Sequence, residues 1–127
     1  MKKGQSAIEF IVIVGIALSF IVLFMSSVKM SQQEKIEEKE NQKINRIAMD
    51  IKEEIQVASQ TLDGYKREFD VPKTVMGNNY SIEIIESSLQ IIAKENSLSL
   101  SIKNVNGEIK KGTNVIKKKN GEIYLNE

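Results

Sequence analysis

Hydrophobic residues are concentrated near the start of the chain, and their spacing changes along it. An apolar run of 16 residues without a charge extends from Phe10 to Met25, and continuing it to Val28 gives 19 residues. A helix of 19 residues is about 28 Å long, close to the ~30 Å hydrocarbon core of a bilayer. The run therefore predicts a membrane-spanning helix. Two lysines precede it and only Lys29 lies near its other end, so the positive-inside rule predicts a cytoplasmic N-terminus.

The helix is predicted to continue well beyond the apolar run. The chain has no Gly or Pro between Val28 and Gly64, which predicts one continuous helix from about residue 7 to about residue 62. Its second half has apolar residues every three or four positions, at Ile44, Ile47, Ala48, Ile51, Ile55, Ala58 and Leu62. Such a stripe is typical of a helix face that packs against another element. Residues 29–43 have almost no stripe, and we expect a solvated stalk or a contact surface between subunits.

After Gly64 the period of the hydrophobic pattern changes from 3.6 to 2. Strict alternation in Tyr80–Ile84 and Leu98–Ile102 indicates strands with one apolar face. Asn106-Gly107 and Asn120-Gly121 are typical of two-residue hairpin turns. Residues 65–127 thus predict an antiparallel sheet of four to six short strands. The predicted fold class is α+β, a long N-terminal helix with a membrane-spanning first half and an amphipathic second half, packed on a small antiparallel β-sheet.

The amino-acid composition argues against most kinds of catalytic site. The chain has no Cys, no His and a formal net charge of +1, which argues against disulfides, thiol or imidazole catalysis and a general attraction to nucleic acid. No phosphate loop, carboxylate pair or metal-ligand spacing stands out. We predict that the protein is not an enzyme, holds no cofactor or metal and binds no nucleic acid. The three lysines 117–119 are interpreted as the solvated edge of a strand.

The apolar run has three interpretations. A secretory signal peptide is disfavoured because no small-x-small cleavage pattern follows the run. A plain single-pass anchor would satisfy the length. Neither explains Glu9, a carboxylate at the edge of the run immediately before Phe10, because an acidic group at this depth is costly and suggests a function.

The local sequence favours a third interpretation. Lys2-Lys3-Gly4-Gln5-Ser6-Ala7-Ile8-Glu9-Phe10, followed by the apolar run, resembles the class III signal peptide of archaeal type IV pilins. The resemblance implies that a membrane-embedded prepilin peptidase cuts between Gly4 and Gln5 and that the helix is retained. Glu9 would become the fifth residue of the mature chain, where pilins usually carry Glu, and the resemblance gives Glu9 and Phe10 a role in assembly.

The resemblance also divides the chain and implies its partners. Residues 1–4 would be the leader, 5–28 the transmembrane and filament-core helix, 29–63 an amphipathic helix and 64–127 the β-sheet head. The precursor would lie in the cell membrane, in contact with lipid, and the mature chain in an extracellular surface filament. Its partners would be copies of itself or other pilins, the peptidase, a membrane platform and an assembly ATPase. The alternative is a single-pass, membrane-anchored extracellular binding module that does not polymerise.

One modification site is predicted. Asn79-Tyr80-Ser81 is an N-glycosylation sequon, placed at a predicted turn formed by Gly77-Asn78-Asn79. Pilins of the resembled family are often glycosylated, so Asn79 is the candidate acceptor.

Overall fold

A computed structural model describes residues 2–94 and 96–127. One long helix, α1, extends from Lys2 to Gln60. Seven strands follow in the described residues: β1 (Lys66–Val71), β2 (Ser81–Ile85), β3 (Ser88–Ile92), β4 (Ser97–Ser101), β5 (Asn106–Gly107), β6 (Gly112–Lys119) and β7 (Glu122–Leu125). The chain divides into two compact units, with the boundary between Ile36 and Glu37. We call them the N-terminal unit and the C-terminal unit.

The strands form two sheets in the C-terminal unit. The first has the order β1-β6-β7-β5 and the second the order β2-β3-β4. All pairs are antiparallel except β5 with β7, which is parallel. The predicted α+β class is confirmed. The prediction of a single antiparallel sheet of four to six strands is wrong, because β2, β3 and β4 form a sheet of their own. The strand β5 was not predicted, because its two residues are too few to produce an alternating pattern.

The two Asn-Gly dipeptides adopt different structures. Asn120 and Gly121 both have positive φ, 53° and 78°, and form the predicted tight turn between β6 and β7. The hairpin predicted at Asn106-Gly107 is wrong, since these residues are β5 itself and pair with the end of β7. A Cβ on Gly107 would collide with the backbone carbonyl of Leu125. The glycine therefore permits close strand approach and does not form a turn.

The predicted stripe of α1 forms one side of the core. Six of its seven members are buried, and they cluster with buried strand residues: Val71, Leu89, Ile91, Ile116, Ile123 and Leu125. The prediction fails at Leu62, which is 87% exposed because α1 ends two residues earlier. Burial also begins earlier than predicted, since Glu40 is only 5% exposed and accepts a hydrogen bond from Asn96 Nδ2 at 3.3 Å. The segment 29–43 is therefore not solvated throughout.

The three lysines of β6 do not form a solvated edge, which corrects the sequence interpretation. Their strand pairs with β1 on one side and β7 on the other. Lys118 Nζ donates hydrogen bonds to the carbonyl oxygens of Ser59, at 2.8 Å, and Thr61, at 2.7 Å. Just after the helix, Asp63 Oδ1 accepts from the Gly121 amide at 3.0 Å. The β6–β7 hairpin thus fixes the C-terminal end of α1.

A buried asparagine side chain lies near the start of β6, at the end of that strand away from the β6–β7 turn. The Asn114 side chain is fully buried, and its Nδ2 donates to the carbonyls of Lys110 and Gly112 at 2.6 and 3.0 Å. Its Oδ1 accepts from the Lys110 amide and from Asn126 Nδ2, both at 2.9 Å. An Asn side chain has two donors and two acceptor sites, so all its hydrogen-bonding capacity is used.

Candidate functional site

The N-terminal unit presents an apolar helix surface to its surroundings. An 18-residue window of α1 has a mean hydropathy of 2.8, and none of it is buried within the chain. Large side chains such as Phe20 and Phe24 are 68% and 71% exposed. By length and composition, α1 can cross a membrane. Exposed apolar surfaces of this size are typical of sites that contact a membrane or another protein.

The hydroxyl groups in this part of α1 are satisfied within the helix. The Oγ atoms of Ser19, Ser26 and Ser27 donate to carbonyl oxygens four residues earlier, at 2.9, 3.0 and 3.1 Å. In hydrocarbon an unsatisfied polar group costs several kcal/mol. These bonds remove that cost without a partner from another chain, so the serines are compatible with an apolar environment.

The predicted processing and assembly residues all lie on the first turns of α1. Gly4, Gln5, Glu9 and Phe10 are exposed helical residues, and helix continues through the Gly4–Gln5 bond. Gln5 and Glu9 are four positions apart, which places them on one face of the helix. In the part of the chain that the structure describes, the Glu9 carboxylate has neither a hydrogen bond nor an ion pair.

Packing gives no reason for a glycine at position 4. A Cβ on Gly4 would meet no atom within 4 Å, and no positive φ is found there. A glycine inside a helix costs roughly 1 kcal/mol relative to alanine. The fold of the described residues therefore does not explain Gly4, and the same is true of Gly15 within α1.

The candidate glycosylation site lies in the C-terminal unit. Positive φ values at Met76, 50°, and Gly77, 77°, place the turn one residue earlier than predicted. Asn79 follows it as an exposed residue, and its Oδ1 accepts a hydrogen bond from Lys111 Nζ. Among the described residues Asn79 Nδ2, the atom that a glycan would join, donates no hydrogen bond.

Lys111 and Tyr80 hold this region in place. Lys111 Nζ also donates to the Tyr80 carbonyl at 2.8 Å and lies 5.3 Å from the centre of its ring. The Tyr80 hydroxyl donates to the Pro72 carbonyl. Burial raises the pKa of Tyr80 above its usual value. The backbone before the sequon is therefore anchored by a buried aromatic side chain.

An acidic cavity of about 420 Å³ in the C-terminal unit was not predicted from the sequence. It lies between α1 and β1, and its charged lining residues are Asp50, Glu53, Glu54, Arg67, Glu68 and Asp70. Arg67 Nη2 lies 3.5 Å from Glu54 Oε1. Within the described residues no three acidic side chains are arranged to hold a metal ion. Only the fold brings the helix and strand acids together, so no sequence signal could have identified the cavity.

Comparison with known proteins places the chain in a family. Residues 7–120 match a family described as "Family of unknown function (DUF7266)". The chain belongs to this family. The DUF7266 match begins just before the apolar run and ends in the β6–β7 turn, so it includes the apolar part of α1 and every strand except β7. No significant match was found among curated proteins or among solved structures.

Proposed function

We propose that the protein is a structural subunit of an archaeal type IV pilus-like surface filament. The observation that carries the proposal is the arrangement at the start of α1. A glycine with no packing role precedes Gln5, and an acidic residue follows one helical turn later at the edge of an exposed apolar surface. The resemblance of these residues to a class III signal peptide gives each of them a role.

Leader removal changes the charge at the start of the helix. Cleavage between Gly4 and Gln5 removes Lys2 and Lys3 and creates one positive α-amino group on Gln5. A charge that leaves water must be paired and hydrogen-bonded. Glu9 lies on the same helix face and can supply the carboxylate, to its own amine or to that of a neighbouring subunit.

The exposed apolar surface serves two successive environments in this proposal. Before assembly it contacts lipid, and after assembly it contacts the helices of neighbouring subunits in the filament core. The internally bonded hydroxyls of Ser19, Ser26 and Ser27 suit both environments. The C-terminal unit, with its hydrogen-bonded sheets, would form the head on the filament surface. The prepilin peptidase, membrane platform and assembly ATPase are the partners that the resemblance implies.

The proposal is tested by replacing Glu9 with Gln in the native cells. Gln accepts and donates hydrogen bonds but cannot neutralise the new amine, which leaves a buried charge uncompensated at a cost of ~3 kcal/mol or more. We expect filaments in sheared surface material, viewed by electron microscopy, to be lost or shortened. The matched control is Glu108→Gln, at an exposed position in the C-terminal unit, and it should leave filaments unchanged.

Immunoblots of membranes separate assembly from processing. The Glu9→Gln chain should accumulate there as the cleaved form, because the Gly4–Gln5 bond is unaltered. Abundant filaments from Glu9→Gln cells would contradict the charge-pairing mechanism. If unmutated cells with good expression also lack filaments, the anchored binding module becomes the better account.

A further inference from the structure

The strand β4, Ser97–Ser101, forms an edge of the second sheet and differs from the other edge strands. It pairs only with β3, and its sequence Ser-Leu-Ser-Leu-Ser contains no charge and no proline. Edge strands usually carry such residues, or are very short, because a bare edge invites pairing with another chain. In the described residues β1 carries four charges, β2 carries Glu83, and β5 has only two residues.

The alternation of hydrogen-bonded and non-hydrogen-bonded residue pairs between β3 and β4 shows which backbone groups of β4 face away from β3. Ala93 N donates to Asn96 O at 2.8 Å, and Ile102 N donates to Ser87 O at 2.9 Å. Because hydrogen-bonded and non-hydrogen-bonded pairs alternate in an antiparallel ladder, the leucines of β4 bond to β3. The N–H and C=O groups of its three serines face the open edge. In the described chain these six groups have no backbone partner.

The sequence of β4 is a palindrome centred on Ser99. A strand of this kind is its own complement when a second copy is turned by 180° about an axis through that residue. In the paired strands Ser97 would lie opposite Ser101 of the second copy, and Ser99 opposite Ser99 of the second copy. Leucines would then face leucines on the inner side of the sheet. A slip of one residue would put serines against leucines.

We propose that β4 is an interaction surface for β4 of a second copy of this chain. The two strands pair antiparallel about a twofold axis at Ser99, joining two three-stranded sheets into one of six strands. All six outward-facing backbone groups of each strand are satisfied, and no like charges are opposed because β4 has none. This contact does not depend on the proposed filament function.

The other open edge of the same sheet is a poorer partner. The carbonyl of Tyr80, just before β2, already accepts a hydrogen bond from Lys111. Glu83 of β2 would lie opposite its counterpart or near it in a β2–β2 pair. A five-residue strand pair is also smaller than the ~1,200 Å² that stable interfaces usually bury. We therefore expect a weak dimer that forms at high protein concentration.

Cysteine cross-linking tests the pairing and its register, since the chain has no native cysteine. The full-length protein is studied in detergent micelles under mild oxidation, with products separated on non-reducing gels. Residues paired across hydrogen-bonded strands have Cα atoms ~5.5 Å apart, within the range that a disulfide spans. We expect Ser99→Cys to give several-fold more covalent dimer than Ser101→Cys, because two copies of position 101 would be ~14 Å apart.

A mixture tests the same register independently. Ser97→Cys and Ser101→Cys should each cross-link poorly alone. An equal mixture should cross-link about half as well as Ser99→Cys, because only half of the pairs that form contain one copy of each variant. Ser81→Cys, an exposed position on β2, is the matched control and should give little dimer. Similar yields from all single variants, or no gain on mixing, would overturn the proposal, because random collision or another interface would then account for the products.

A charge variant tests the contact without relying on the position 99 thiol. Adding Ser99→Lys to both members of the Ser97→Cys and Ser101→Cys mixture places two ammonium groups opposite each other. We expect the heterodimer yield to fall several-fold, whereas Ser81→Lys should leave it unchanged. The Ser99 side chain is exposed and its hydroxyl lies 2.8 Å from that of Ser88. Each Ser99 variant loses this one exposed hydrogen bond, and we expect its thermal unfolding midpoint to stay within a few degrees of the parent's. An undiminished yield with Ser99→Lys would also overturn the proposal.

Discussion

Lys118 Nζ lies 2.7 Å from the carbonyl oxygen of Thr61, immediately beyond the end of α1. The last carbonyls of a helix have no partner within the helix, and the negative end of the helix dipole favours a cation there. Lys118 supplies both a donor and a charge, from a strand 57 residues later in the chain. This contact, with that to Ser59, fixes where the helix ends relative to the first sheet of the C-terminal unit.

Replacing Lys118 with Met should therefore destabilise the C-terminal unit. The apolar stem is kept, but two charge-assisted hydrogen bonds are lost, and we expect the free energy of unfolding to fall by about 2 kcal/mol. Chemical denaturation of the full chain in detergent, followed by circular dichroism, measures this. Lys119→Met is the control, since Lys119 is exposed and should change little. Equal effects of the two substitutions would mean that the helix end is held by other contacts.

The core between α1 and the sheets predicts that two nearby substitutions in α1 have very different effects on stability. Ile51 is only 2% exposed, so Ile51→Asp would bury an unpaired carboxylate and should lower the free energy of unfolding by several kcal/mol. Glu53→Lys, two residues along on the exposed face of the helix, should have little effect. Thermal unfolding of the full chain in detergent compares them. If Ile51→Asp melted with the parent, the stripe could not be packing against the sheets.

The buried Tyr80 predicts a loss of stability at high pH. Burial raises the pKa of Tyr80 in the folded chain, whereas in the unfolded chain it titrates near pH ~10. The folded state therefore binds the Tyr80 proton more tightly than the unfolded state does. The resulting contribution to the free energy of unfolding is fully present below pH ~10 and is lost as the pH rises through the higher pKa of Tyr80 in the folded state.

Tyr80→Phe has no proton to lose at this position. It should be less stable than the parent at neutral pH, because the hydroxyl bond to Pro72 is absent. Its stability should then fall less steeply above pH ~10. Denaturation midpoints measured from pH 7 to 11 show the difference, and parallel curves for parent and variant above pH 10 would exclude this role for Tyr80.

Local patterns in the sequence predicted much of this fold. The spacing from Ile44 to Ala58 predicted the buried face of α1, because a helix repeats every 3.6 residues whatever covers it. Asn120-Gly121 predicted its turn because both residues must adopt positive φ there. Each of these features is determined by residues within a few positions of one another.

The failures came from long-range contacts. Lys118 was interpreted as a solvated edge residue, although its partners are carbonyls at the end of α1. Asn106-Gly107 has the composition of a turn, but its glycine is needed for the close approach to Leu125. Glu40 was assigned to a segment expected to be a solvated stalk or a contact surface between subunits. It is instead covered within the chain, with Asn96 as its hydrogen-bond donor. None of these partners can be identified from neighbouring residues alone.

The candidate sites likewise divide into those determined by neighbouring residues and those determined by long-range contacts. Gly4, Gln5 and Glu9 could be proposed from the sequence because their argument depends on order and spacing within one helix. The acidic cavity could not, because its carboxylates come from α1 and β1 and are brought together by packing. The open edge of β4 likewise depends on which strands pair, although its palindrome is visible in the sequence.

The mature N-terminus is the most direct test of the proposed function. Mass spectrometry of the protein from native membranes and surface material should find a chain that begins at Gln5, as glutamine or pyroglutamate, and retains residues 10–28. That result would show cleavage at the Gly4–Gln5 bond with the apolar helix kept, as the filament proposal requires. A chain that still begins with Met1-Lys2-Lys3, or one that begins after Ser27, would contradict it.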